Sequence, residues 1–173
     1  YLLVNTYEEE DLKRVFWQYG ELRTAAALAK TIIAARQEKP IETTFDLKTV
    51  LKKHLPFGRE NKILAQIYQA IRIEVNQEIE VLKEFLLQTP GLLKDGGRLS
   101  VISYHSLEDR LVKRFIRNGL FEGEPEKDVF GNFEVPLKKV GNLVVPDAAE
   151  IKLNNRARSA KLRIAQAINH TAK

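Results

Sequence analysis

Two short stretches of this sequence carry side chains able to do chemistry. The first is Ser103-Tyr104-His105-Ser106-Leu107-Glu108-Asp109-Arg110. It sets an imidazole, two serine hydroxyls, two carboxylates and a guanidinium close together on the chain. His105 beside Ser106 invites comparison with nucleophilic hydrolases. A triad, however, needs nucleophile, base and orienting acid held in space, and chain neighbours rarely meet that way. The strand-to-helix elbow G-x-S-x-G is absent. Ser106 reads instead as the N-cap of a helix, with Asp109 three residues later reaching back to the cap amide. Glu108 and Asp109 then serve the positive helix start, or else form a carboxylate pair. His105 is either a structural hydrogen-bonder at a strand end or a pocket residue. His54, His105 and His170 are far apart, and cysteine is absent, so no metal site is expected. Neither a G-x-G-x-x-G nor a P-loop occurs, so the chain shows no nucleotide phosphate cradle.

The second stretch is Asn155-Arg156-Ala157-Arg158-Ser159-Ala160-Lys161-Leu162-Arg163. From Ile151 to the end there are six basic residues and no acid. The formal net charge is +5, so the rest of the chain is close to neutral. A positive segment on a neutral body suits a polyanionic partner. Arginine forks match phosphate geometry and lysine adds a point charge. The same side chains are equally suited to tying the last strand to neighbouring loops, or simply to solubility.

Each stretch needs elements to hold it. Gly96-Gly97 supplies a turn. The apolar run Leu99 to Tyr104 reads as a strand covered on both faces. Leu107, Leu111, Val112, Phe115 and Ile116 mark one stripe of the following helix, with Arg110, Lys113, Arg114 and Arg117 facing elsewhere. His105 and Ser106 thus fall at the carboxyl end of a strand, the rim where open α/β sheets bind ligands. Ala160 to Ala165 alternates apolar and basic residues, as a strand with one wet face does. Leu143-Val144-Val145 reads as a brief strand, Asp147 as the cap of a short helix, and Asn154-Asn155 as a turn. Residues 120–142, rich in glycine and proline, read as an irregular segment or short hairpin.

Upstream the pattern is helical. Residues 8–37 carry an acidic first turn and a break at Gly20, and Pro40 ends the run. Thr43 or Thr44 is placed to cap a third helix with Phe45, Leu47, Val50 and Leu51. Residues 61–88 read as one long helix stopped by Pro90 and Gly91. Arg72 and Asn76 lie one turn apart near its apolar face, either solvated, paired with Glu80, or facing a pocket.

With 173 residues, 44% hydrophobic and 29% charged, the chain is globular rather than disordered. It holds no run of about 18 apolar residues and no signal-peptide pattern, so the expected setting is the cytoplasm, away from membrane. Methionine is absent and the chain opens at Tyr1, as an internal fragment would.

Several segments together resemble the MraW family, S-adenosylmethionine-dependent cytosine-N4 methyltransferases of bacterial small-subunit ribosomal RNA. GGRLSVISYHSLEDRLVKRF at Gly96–Phe115 is similar to that family's GGRL-x-VISFHSLEDR-x-VKRF. NNRARSAKLRIA at Asn154–Ala165 is similar to its closing NPRARSAKLRVA, with Asn155 in place of a proline. QAIRIEVNQEIEVL at Gln69–Leu82 and Tyr19-Gly20-Glu21 also match. Leu64-Ala65-Gln66-Ile67-Tyr68 departs from the family's ATR-type sequence.

The resemblance implies an α/β fold: an incomplete Rossmann-like methyltransferase sheet with an inserted all-helical lobe. Residues 1–7 would be a linker from a missing upstream half. Residues 8–60 would form the helical lobe, extending into the 61–88 helix, and 61–173 the C-terminal part of the α/β domain. The implied activity is methyl transfer from S-adenosylmethionine to the N4 amine of a ribosomal cytidine. The cofactor-binding half is missing, so no catalytic or cofactor-binding residue is expected and the isolated chain is expected to be inactive. Ser103, His105, Ser106 and Arg110 are expected to wall the substrate pocket. Arg156, Arg158, Lys161 and Arg163 are expected to contact ribosomal RNA. A free-standing RNA- or protein-binding module that reuses the same lobe is the alternative.

Overall fold

The computed structural model describes residues 1–168, so the sequence reading of His170, Lys173 and the end of the tail lies outside the described residues. The chain divides into two compact units, Tyr1–Glu78 and Ile79–Lys173.

The first unit is all-helical. It contains α1 (Leu2–Thr6), α2 (Glu9–Gln18), α3 (Ala25–Glu38), α4 (Thr44–Val50), a 3-10 turn at Lys52–His54, and α5 (Glu60–Asn76). Residues 1–7, expected as a linker, thus include a helix, and Leu3 and Val4 are buried. Leu12 and Phe16 of α2, Leu28 and Ile32 of α3, and Ile67 of α5 are fully buried in one core. Truncating one of these large side chains to alanine costs about 2–5 kcal/mol. Gly20 lies in the break between α2 and α3, where the chain passes so close that a Cβ would lie 2.7 Å from the Phe16 carbonyl oxygen. Thr43 caps α4 in a capping box with Asp46, whose amide donates to Thr43 Oγ1 at 3.0 Å.

The single helix expected over 61–88 is two helices. α5 ends at Gln77, which adopts the left-handed conformation (φ +52), and α6 (Glu78–Leu92) restarts. The Glu78 carboxylate accepts two bonds from Arg72, at 2.8 and 2.9 Å, and one from Asn76 at 3.1 Å. Apolar periodicity runs across this break unchanged, which hides it in the sequence. α6 also runs through Pro90 and Gly91 for its final turn.

The second unit is α/β. After α6 come β1 (Arg98–Ser103), α7 (Ser106–Asn118), β2 (Leu137–Val144), α8 (Ala148–Leu153), a 3-10 turn at Asn155–Ser159, and β3 (Lys161–Ala167). The three strands form an antiparallel sheet in the order β1-β3-β2. The mixed α/β fold with a separate helical lobe is therefore present, and its sheet is small and antiparallel. β3, the last strand in sequence, is the middle strand in space.

Leu86 of α6, Leu99 of β1, Val112 and Phe115 of α7, and Leu137 of β2 make the core of this unit. β1 is not covered on both faces, as the apolar run suggested. Its burial alternates: Leu99 and Ser103 are buried, while Ile102 is 55% exposed. The strand lies at the sheet edge, and α6 and α7 share its buried face with the core. β2 begins six residues before the short strand expected at Leu143–Val145, and its register shifts between Val140 and Val144. No helix among the described residues is long and apolar enough to cross a membrane.

Candidate functional site

The candidate site forms where β1 gives way to α7. The helix is capped one residue earlier than the sequence suggested. His105, not Ser106, is the N-cap: its Nδ1 accepts from the Glu108 amide at 3.4 Å. Glu108, not Asp109, closes the box. Its Oε2 accepts from the amides of Tyr104 (2.8 Å) and His105 (3.3 Å). Nδ1 is thus the acceptor, which leaves the proton of a neutral imidazole on Nε2. That Nε2 lies 3.3 Å from Glu108 Oε1. Residue type alone points to Ser106, because serine is a far commoner cap than histidine.

This shift frees Asp109 for another task. Asp109 is buried on α7, and its carboxylate receives Arg163 Nε at 2.7 Å and Arg163 NH2 at 3.1 Å. Lys161 Nζ lies 3.4 Å away. Burial alone raises the Asp109 carboxyl. Hydrogen bonds and charge from Arg163 and Lys161 outweigh it and hold the group below the usual carboxylate range.

The sheet register sets Lys161 opposite Ser103. Ser103 is buried at the end of β1, and its Oγ has no hydrogen-bond partner among the described residues. Ser106 and Arg110 are exposed on the first turns of α7. Of the four expected substrate-wall residues, Ser103, His105 and Ser106 therefore meet at one junction, with Arg110 one turn along. Arg156 and Arg158 are exposed on the 3-10 turn that leads into β3, capped by Asn154 Oδ1 accepting from the Arg156 amide at 3.1 Å. Lys161 is partly exposed, whereas Arg163 is occupied by Asp109.

Sequence reasoning missed one further feature, a cleft of about 430 Å³ between α7 and the β2–β3 ribbon. Lys113, Arg117, Lys138 and Lys139 line it, together with Arg163, whose charge is taken by Asp109, and none of its described lining residues is acidic. The paired lysines at 138 and 139 and the i, i+4 pair on α7 were the available signal. The lining holds no carboxylate to face the sulfonium of S-adenosylmethionine, the cofactor that the resemblance implies.

The profile of the MraW methylase family matches residues 1–168. The chain is also similar to curated proteins named ribosomal RNA small subunit methyltransferase H. That of Flavobacterium johnsoniae is 69% identical over 168 residues, covering 97% of this chain and 56% of the relative. That of Christiangramia forsetii is 67% identical, covering 96% and 55%. That of Bacteroides thetaiotaomicron is 51% identical, covering 95% and 54%. The chain spans about half the length of these relatives.

Proposed function

Because this chain belongs to the MraW methylase family, we propose that it works as the C-terminal part of a ribosomal RNA methyltransferase. The full-length protein transfers a methyl group from S-adenosylmethionine to the N4 amine of a cytidine in small-subunit RNA. When bound, the cofactor supplies the electrophilic methyl group. No residue of this chain is assigned to holding it. The residues of this chain bind and orient RNA.

The reading is supported chiefly by one observation: β3 brings the acid-free basic segment alongside the β1–α7 junction, with Lys161 opposite Ser103. A nucleotide held at this junction meets Ser106 at the helix start, with Ser103 and His105 forming the wall beneath it, while Arg156 and Arg158 take phosphates on either side. Holding the nucleotide in one orientation is the main catalytic contribution open to such a wall. Arg163 supports the wall from behind through Asp109 rather than touching RNA.

The test is to supply the full-length protein with labelled methyl donor and small ribosomal subunits, then digest the RNA and identify the modified nucleoside by mass spectrometry. N4-methylcytidine is the expected product. Label in another nucleoside, or none, overturns the cytosine-N4 assignment. Salt-sensitive RNA binding by the 173-residue chain, with no methylation by the full-length protein, would favour the RNA-binding module instead.

A further inference from the structure

The cleft between α7 and β2–β3 has an unusual charge. Lys113 and Arg117 come from α7, and Lys138 and Lys139 from β2. All four are exposed, and among the described residues none of their side chains makes a hydrogen bond or ion pair. Like charges gathered without counter-charges are unfavourable by themselves, and a bound polyanion relieves that repulsion. The floor is aliphatic, with Ile116 and Leu137 buried beneath the opening and Leu143 at its edge.

The cleft is connected to the candidate site along one helix face. Arg110, Lys113 and Arg117 follow the i, i+3, i+7 spacing that places them on one stripe of α7. At 1.5 Å per residue, Lys113 and Arg117 lie about 12 and 18 Å along the axis from the His105 cap. A strand leaving the junction therefore meets a continuous row of cations that ends in the cleft.

We propose that this cleft grips a single-stranded segment of the RNA substrate, flanking the nucleotide presented at the start of α7. Lys113, Arg117 and Lys139 take its phosphates, Lys138 takes a further one from the opposite face of the edge strand, and the aliphatic floor lies under its sugars. The proposal rests on the reading of the chain as part of a ribosomal RNA methyltransferase. A continuous row of cations suits a chain of regularly spaced phosphates better than the single headgroup of a lipid.

The test uses the full-length protein carrying Lys113→Gln, Arg117→Gln, Lys138→Gln and Lys139→Gln together. A control carries Lys30→Gln, Lys48→Gln, Lys52→Gln and Lys62→Gln, four exposed cations of the helical unit. Filter binding to purified small-subunit RNA is measured across a salt series. The cleft variant is expected to bind at least about tenfold more weakly at low salt. Its log K against log salt slope should be shallower by about 3, as four lost phosphate contacts require. In methylation assays the KM for RNA rises while kcat and the KM for the methyl donor hold.

Unchanged binding and slope overturn the proposal. So does an equal loss in the control set, which would reflect net charge alone. Binding of anionic phospholipid vesicles or polyglutamate that depends on the cleft, with RNA binding untouched, also overturns it. Loss of RNA binding by the cleft variant of a protein that methylates no RNA would overturn the methyltransferase reading and leave the cleft assignment standing.

Discussion

Asp109 and Arg163 stand 54 residues apart in sequence, yet their side chains meet at 2.7 Å. The contact is forked, with Nε on one carboxylate oxygen and NH2 on the other. Both side chains are nearly buried, at 11% and 14% exposure. The pair fastens α7 to the middle strand of the sheet, behind the junction where His105 and Ser103 lie.

Breaking that pair leaves a guanidinium buried without its counter-charge. Asp109→Asn is expected to destabilise the full-length protein by about 3 kcal/mol at neutral pH. Denaturant unfolding measures it. The pH dependence follows from the depressed Asp109 pKa. The unfolded carboxyl titrates near about 3.9, so the contribution is complete above that value and is lost as pH falls through the lower folded value. The gap between wild type and Asp109→Asn should narrow below about pH 4. A gap that stays constant to pH 2 would contradict the ion pair.

His105 caps α7 and is also assigned to the proposed substrate wall. The two roles separate by substitution. His105→Ala removes the cap and is expected to cost about 1 kcal/mol of stability as well as methylation activity. His105→Asn restores a good cap. Stability should return with Asn while the KM for RNA stays raised. Full recovery of methylation in His105→Asn would reduce His105 to a cap.

Gly119 terminates α7 in the left-handed conformation, φ +70. A Cβ there would sit 3.1 Å from Pro136 Cδ. Gly119→Ala should therefore lower stability by about 1–2 kcal/mol, read from the denaturant midpoint. It should leave the KM for methyl donor unaltered.

Arg156 and Arg158 are exposed and acid-free in their surroundings along the chain. Replacing both with Gln should weaken binding of small-subunit RNA and flatten its salt dependence by a slope of about 1–2. Thermal unfolding should hold within about 1 °C of wild type, since neither side chain is buried. Arg163→Gln should do the reverse, losing stability first.

His54 offers a second pH probe in the helical unit. Its Nε2 lies 2.7 Å from Thr31 Oγ1. Burial, aided by the charge of Lys53, lowers its pKa. A lowered histidine favours the neutral folded form, so stability falls as pH drops below the unfolded value of about 6.5 and levels off below the folded one. His54→Gln should flatten that portion of the stability profile.

The sequence by itself determined whatever depends on near neighbours. The helical stripes, a threonine cap for α4 at Thr43 or Thr44, the Asp147 cap of α8 and the strand–helix order around His105 all rest on spacings of a few residues. The segments that resemble the MraW family were legible for the same reason: their residues are contiguous. Only the tertiary structure decided which acid caps α7, because Glu108 and Asp109 are equivalent until Arg163 claims one of them. It also decided that the last strand lies between the other two, which sets Lys161 opposite Ser103 and gathers four cations from α7 and β2 around one cleft. Such pairings are fixed by strand register and helix packing between segments far apart on the chain. No periodicity within either segment encodes its partner.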